Sequence, residues 1–327
     1  MMIRVEVTHE RFEIAGGFTI SRGSRTHADV VVVTLTDGTH VGRGECVPYP
    51  RYGESIDSVM EAIRQTTGTL EGRLDRQTLA AQLKAGAARN AIDCALWDLE
   101  AKRSGRRAAD LAGVGPLKSL ITCFTLSVGT PDAMAEAARK AADRPLLKVK
   151  LAGPGDAERI AAVRANAPRS RLVVDANEAW TEDCYAENMA ACAAAQVELI
   201  EQPLPAGKDA ALETLPRPVP VCADESLHVR GDLPAMRQRY DAVNIKLDKA
   251  GGLTEALALY ADARGLGFKV MVGCMLGTSL GMAPAVLVAQ HADYVDLDGP
   301  LLLSKDRAGG LTFEGSTLIP PDSSLWG

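Results

Sequence analysis

The chain has 327 residues, with 36 lysines and arginines against 42 acidic residues and a formal charge of −6, so a nucleic-acid surface built on a dense basic block is excluded. No apolar run approaches the roughly 20 residues of a membrane span, and the first residues (MMIRVEVTHERFE) hold no apolar leader, so a cytoplasmic protein is expected. Apolar residues at 46% can fill a sizeable core, and the seven cysteines are scattered without a C-x-x-C pair, as reduced thiols would be.

Residues 1–118 open with the strand-like segments IRVEVTHERFEI and ADVVVVTLTDG and then turn helical. In ARNAIDCALWDLEAKRSG, Ala88, Ala91, Ile92, Ala95, Leu96 and Leu99 recur at the spacing of one helix face. Strands followed by helices predict a separate α+β capping domain. From about residue 120 the pattern changes to apolar, β-rich runs at 121–128, 146–151, 171–177, 197–203, 220–226, 242–248, 268–275 and 294–298. Helical stretches lie between several of them, among them 131–143, with Thr130 as N-cap and Pro131 at its first position, and 254–265, capped by Thr254. Strands alternating with helices, without a Gly-rich dinucleotide turn, predict a modified TIM barrel, (β/α)7β, over residues 119–303. A doubly wound open sheet is the rival architecture. Residues 304–327 are too few for a domain and are expected to pack back on the cap.

Polar residues two apart close several barrel strands: Lys148 and Lys150 the second, Asp175 and Asn177 the third, Lys246 and Asp248 the sixth, Asp296 and Asp298 the eighth. Residues i and i+2 share a strand face, and charge on an inner face at the C-terminal mouth of a barrel is characteristic of catalysis. Asp175, Glu201 and Asp224 end three consecutive strands. Three converging carboxylates repel and desolvate badly unless a cation joins them. An all-oxygen set favours Mg²⁺, or Mn²⁺ as a substitute, over zinc, and neither barrel histidine (His228, His291) falls in a strand-end motif.

Strands two and six stand on opposite walls of an eight-stranded barrel. Lys150 and Lys246 would therefore approach a bound substrate from opposite faces, as a racemase or epimerase requires. One lysine removes a proton and the other returns it on the far side. Lys148, beside the same substrate carboxylate, would add a donor and depress the pKa of Lys150. Trp180, Cys274 and Met275 read as core residues, and the GPG at 153–155 is weak evidence for phosphate binding.

KVK at 148–150, DAN at 175–177, EQP at 201–203, ADES at 223–226 and NIKLD at 244–248 resemble the muconate-lactonizing subgroup of the enolase superfamily. Lys or His bases with Mg²⁺ are that superfamily's known pattern. The DLD at 296–298 resembles the DxD of dipeptide epimerases, and SRGSR (21–25), GECVPYPRYGES (44–55) and GAARNAIDCALWDL (86–99) are similar to L-Ala-D/L-Glu epimerases. The resemblance implies a Mg²⁺-dependent isomerase that epimerises a dipeptide at its C-terminal α-carbon through a metal-stabilised enolate, in murein peptide metabolism. It implies Asp175, Glu201 and Asp224 as metal ligands, with Asn177 and Asp248 supporting them. Asp296 and Asp298, across the mouth from the metal, would hold the substrate ammonium. Arg25, with Arg22 as second choice, would bind the Glu side chain from a mobile first-domain loop. A dipeptide epimerase of other specificity, a muconate cycloisomerase and an o-succinylbenzoate synthase are the alternatives. A non-catalytic metal-stabilised barrel and Schiff-base chemistry on a barrel lysine are competing classes. The only partner implied is a small dipeptide, and a homo-oligomer is compatible with the sequence.

Overall fold

The computed structural model describes residues 3–70 and 72–327. Three antiparallel strands open the chain: β1 (Arg4–Ile20), β2 (Gly23–Thr36) and β3 (Val41–Cys46). The run at Val30–Val33 is apolar at every position because both faces of β2 are covered. Val31, Val33 and Leu35 pack with α1 (Ile56–Thr69) and α3 (Ala87–Ser104) in a small core, while Val30 and Val32 join the large core shared with the barrel. Between them α2 (Arg76–Gln82) packs on α3. Glycine alternates in β3 because α3 lies against it: a Cβ on Gly42 or Gly44 would collide with the backbone of Ala95, Leu99 or Ala91.

Eight parallel strands follow in sequential order: β4 (Phe124–Leu126), β5 (Leu146–Lys150), β6 (Arg171–Asp175), β7 (Val197–Glu201), β8 (Val221–Ala223), β9 (Ala242–Ile245), β10 (Lys269–Gly273) and β11 (Tyr294–Asp296). The first and last strands meet where Cys123 N–H donates to the Val295 carbonyl at 2.8 Å, so the sheet curls into a barrel and the open-sheet alternative falls. The barrel helices are α4 (Pro131–Lys140), α5 (Asp156–Asn166), α6 (Glu182–Ala194), α7 (Leu253–Gly265) and α8 (Ser279–Ala289). Thr130 caps α4 through its hydroxyl, as its position predicts. Thr254 does not cap α7, which starts from Gly252. Its hydroxyl instead binds the cap, donating to Asp93 at 2.6 Å and accepting from Trp97 Nε1 at 2.9 Å.

Several strands are shorter than the apolar runs. Leu120–Ile121 leaves the barrel to pair with Thr317–Leu318 of the tail, and the sixth strand stops at Ile245 because the chain turns helical over Leu247–Ala250. The tail also reaches the cap: Trp326 Nε1 donates to the Cys94 carbonyl at 3.0 Å, and Gly327 N–H to Asp98 at 2.7 Å. All seven cysteines are free, and among the described residues no helix is long and apolar enough to cross a membrane.

The fit of α3 on β3 predicts that Gly44→Val overpacks this contact and lowers stability by about 1–3 kcal/mol or more, read by chemical denaturation. Gly68, in α1 with open space at its Cβ position, is the control. Gly68→Ala should raise stability by about 0.5–1 kcal/mol.

Candidate active site

Strand alternation builds the site in layers. One residue per strand faces inward at the barrel's base: Cys123, Leu146, Val173, Leu199, Cys222, Ala242, Met271 and Tyr294, a buried apolar plug. Two residues further on, the same inner faces carry Thr125, Lys148, Asp175, Glu201, Asp224, Asn244, Gly273 and Asp296. The dry plug below gives this second layer a low-dielectric floor. Lys150 and Lys246 stand above it, and strand register aligns Lys150 with Asp175 and Asp175 with Glu201. The strands that carry the two lysines are four apart in the sheet.

The layer is knit by ion pairs. Lys148 Nζ lies 2.6 Å from Asp296 Oδ2, 2.6 Å from Glu201 Oε2 and 3.3 Å from Asp175 Oδ2. Lys150 Nζ donates to Asp175 Oδ2 and Lys246 Nζ to Asp224 Oδ2, both at 2.6 Å. Lys249 Nζ, fully buried, takes the other Asp224 oxygen at 2.6 Å, and Asn244 Nδ2 donates to Glu201 Oε1 at 2.7 Å. A Cβ on Gly273 would meet the Asn244 amide and crowd the Lys246 stem, so glycine at that position keeps the path of Lys246 open.

Charges shift accordingly. Burial pushes the Asp175 and Asp224 carboxyls up, but the lysines around them hold both below the usual carboxylate range. Glu201 goes the other way, to about 7, because burial and the neighbouring Asp175 outweigh Lys148. Burial opposes the charge of Lys148 and Lys246, yet their carboxylate neighbours raise both and keep them protonated. Asp298 is raised to about 7 by burial and by Asp296.

Among the described residues no three acidic, histidine or cysteine groups enclose an ion as they stand. The lysine ammonium groups lie between the carboxylates instead. The donor set nonetheless fits a hard divalent cation: three buried carboxylates on adjoining strands, and a Glu201 Oε2 that touches Lys148 only outside hydrogen-bond alignment.

The other expected residues sort differently. Asn177 supports Asp175 through its backbone N–H, 2.9 Å from Oδ1, in a left-handed conformation (φ 44°), while its own Oδ1 is unpartnered. Glu178 is left-handed too (φ 69°), and such positions cost on the order of 1–3 kcal/mol each unless their contacts hold them. Asp248 does not reach Asp175, Glu201 or Asp224. The chain is already helical there, strand alternation has ended, and the carboxylate accepts from Val47 N–H (3.1 Å) and Asn90 Nδ2 (2.8 Å) of the cap. Asp296 stands on the strand opposite Glu201, four apart in the sheet, but both lie in the second layer and the Lys148 ammonium joins them across the barrel. Asp298 lies past the strand end and accepts from Thr125 N–H at 2.7 Å.

A cavity stands above this layer, reached by Lys148, Lys150, Lys246, Asp296 and Asp298. Cys274 and Met275 line it as well as packing the barrel, which corrects their reading as core alone. Its roof is the β1–β2 hairpin, a continuous ribbon with a register shift between Glu13 and Phe18, where a loop was expected. Arg25 reaches the cavity with its guanidinium 5.3 Å from the Tyr49 ring centroid, whereas Arg22 is bonded to the barrel. Asn244, Lys249 and Glu225 were missed. Asn244 was findable by the i, i+2 rule from Lys246, and Glu225 sits inside ADES, but Lys249 carries no strand signal.

Apolar plug, charged layer and cap-roofed cavity define a barrel enzyme of the enolase type. The chain belongs to that superfamily: residues 133–322 match the enolase C-terminal domain-like family, and residues 2–113 match the mandelate racemase / muconate lactonizing enzyme N-terminal domain. It is 48% identical to the L-Ala-D/L-Glu epimerase of Escherichia coli (strain K12), covering 95% of this chain and 98% of that protein. It is 46% identical to the N-acetyl-D-glutamate racemase of Pseudoalteromonas sp, covering 91% and 95%. Among solved structures, an Agrobacterium tumefaciens enolase family member with homology to dipeptide epimerases, with bound sodium and L-Ala-L-Glu, superposes with a TM-score of 0.98. It is 56% identical, over 99% of this chain and 100% of that one. A dipeptide epimerase from Cytophaga hutchinsonii complexed with Mg and D-Ala-L-Val gives 0.92 at 29% identity, over 98% and 94%.

The buried Asp248 supplies a pH prediction. Burial raises its carboxyl to about 7, above an unfolded value of about 3.9, so the folded chain holds the extra proton between those limits. That contribution to stability therefore falls as pH rises through the window. Asp248→Asn keeps an acceptor and removes the charge. Its stability relative to wild type should climb between about pH 4 and 7, reach on the order of 2–4 kcal/mol and then level off. Parallel offsets at every pH in urea titrations would contradict this.

Proposed function

We propose that the chain is a dipeptide epimerase, an isomerase that inverts the α-carbon of a dipeptide's C-terminal residue, with L-Ala-D/L-Glu as substrate. The observation that carries it is the pair Lys150 and Lys246, on strands four apart, standing above the layer that holds Asp175, Glu201 and Asp224 and each bonded to one of its carboxylates. Mg²⁺ is the cation, held by those three carboxylates, with Mn²⁺ able to replace it. When bound, it supplies positive charge against the second negative charge that develops on the substrate carboxylate as the α-proton leaves.

The residues of the chain do the rest. Lys148, kept protonated, donates to the same carboxylate. Lys150 takes the proton from one face while Lys246 delivers one to the other, and the roles exchange for the opposite enantiomer. A lysine must be neutral to accept a proton, and Lys246 is raised by Asp224 and Glu201; positive charge shared among those carboxylates weakens that pull. Asp296 and Asp298 receive the substrate ammonium, which would also offset the burial and the Asp296 charge that together lift Asp298 to about 7. Arg25, whose side chain, unlike that of Arg22, makes no hydrogen bond to another described residue, takes the Glu side-chain carboxylate.

α-Proton exchange of L-Ala-L-Glu in D₂O, followed by NMR with Mg²⁺ and again with chelator, tests the reaction. Deuterium at the Glu α-carbon and growth of the L-D diastereomer, both lost on chelation, are expected. N-acetyl-D-glutamate has no free ammonium, so faster turnover of it than of the dipeptide would discard the role given to Asp296 and Asp298. Lys150→Ala and Lys246→Ala should each lower epimerisation at least about 10³-fold, while each variant still exchanges the α-proton of one diastereomer. Substantial epimerisation by either would sink the two-base assignment. Arg25→Met should cost L-Ala-L-Glu about 10–100-fold in kcat/KM and leave L-Ala-L-Met within a few-fold.

A further inference from the structure

We propose that Arg22 is a positioning residue, a latch joining the hairpin tip to the segments that directly follow two of the metal-ligating carboxylates, so that metal binding and hairpin closure favour one another. The inference rests on the metal reading above.

The guanidinium of Arg22 donates to the Asn177 carbonyl at 2.9 Å, Glu178 Oε2 at 3.2 Å, Tyr49 Oη at 3.0 Å and Glu225 Oε1 at 2.8 Å. Ser21 Oγ adds a second bond to the Asn177 carbonyl, at 3.0 Å. Asn177 and Glu178 come two and three residues after Asp175, and Glu225 comes directly after Asp224. One side chain of the hairpin thus grips the ends of β6 and β8, on either side of β7 and Glu201.

Both gripped segments depend on outside contacts. Asn177 and Glu178 hold left-handed conformations without being glycine, and Glu178 is further pinned by Arg51 through two bonds of 2.8 Å. The Glu225 side chain is 1% exposed, its Oε2 has no partner, and Arg22 is its one cationic partner among the described residues. With the hairpin lifted, the Asn177 carbonyl loses both donors and Glu225 loses its counter-charge. Asp175 and Asp224 are then carried on less constrained backbone. A cation that fixes those two carboxylates restores the same backbone from the other side, and linkage makes the effect reciprocal. Arg25, three residues along the same hairpin, makes none of these bonds, so the two arginines divide the work between holding the roof and reading the substrate.

The test needs no turnover. Mg²⁺ binding is measured by calorimetry, and backbone hydrogen exchange of residues 15–28 is followed with and without Mg²⁺, in wild type, Arg22→Gln, Arg22→Lys, Glu225→Gln and Arg25→Gln. In wild type Mg²⁺ should slow exchange across the hairpin. Arg22→Gln and Glu225→Gln should lose that protection and bind Mg²⁺ at least about fivefold more weakly, the lower end of typical couplings between sites. Arg22→Lys, with the charge but not the fork, should fall between, and Arg25→Gln should keep wild-type affinity and protection. Wild-type Mg²⁺ affinity and hairpin protection in Arg22→Gln would overturn the latch. A wild-type chain that fails to bind Mg²⁺ would instead overturn the metal reading beneath it.

Discussion

Burial of ionised side chains in a single layer of the barrel is the constraint from which the rest of the molecule follows. Isolated, each of these charges would be prohibitively costly to remove from water. The layer survives because opposite charges interleave: Lys148 among Asp175, Glu201 and Asp296, and Lys246 with Lys249 on the two oxygens of Asp224. Glu201 is the least compensated member, as its upward shift to about 7 records. An arrangement balanced this closely tolerates a further cation only at particular oxygens, and Glu201 presents one without an aligned donor. The apolar plug beneath strengthens every interaction above it by lowering the local dielectric.

The cap is fixed to this barrel by the same device on a smaller scale. Three buried acids cross the seam, and each ends on donors of the opposite unit. Asp93 binds the Thr254 backbone and hydroxyl, and Glu45 binds Thr278 and Arg307. Asp248 reaches the other way, to Val47 and Asn90. A carboxylate committed to backbone N–H groups cannot slide without leaving a buried charge unpaired, so the root of the cap is held in one register. The hairpin tip has no such anchorage in its own sheet beyond β1 and β2. Its attachment to the barrel runs through exposed or half-buried groups, Ser21, Arg22 and the Thr19–Val128 backbone pair. Rigid at the root and lightly fastened at the tip is what a roof over a substrate cavity requires.

How much of this was legible depended on whether a period persisted. The alternation of two that marks strands also marks their inner faces, so Asp175, Glu201, Asp224 and Lys150 can be placed from the sequence alone. The same rule failed at Asp248 because it was extended past Ile245, where the backbone turns helical and i+2 no longer means the same face. Asn244 was missed for the opposite reason: an amide beside more conspicuous lysines drew no notice, although it shares their face and holds Glu201. Thr254 looked like a helix cap because threonine before an apolar run usually is one. Its hydroxyl was taken by a tertiary contact that no local signal encodes. The hairpin roof and its bonds to Asn177 and Glu225 span more than 150 residues of sequence, and only the fold brings them together.

This division of labour bears on how the site can change. Removing one ammonium from the charged layer, Lys148 for example, leaves Asp175, Glu201 and Asp296 short of a counter-charge in a dry setting, so the loss spreads to every neighbour. Arg25 stands at the other extreme: exposed, beside the Tyr49 ring, its side chain hydrogen-bonded to no other described residue. Exchanging it for an apolar side chain orphans nothing and costs the fold little. The cavity wall from Phe18 and Ile20 to Leu276 and Leu302 is apolar and lies outside the charged layer. The charged layer is therefore fixed by electrostatics, while the wall above it is built of residues whose substitution that layer does not feel. Substitutions on that wall can reshape the cavity without disturbing Lys150 and Lys246 or the carboxylates they pair with.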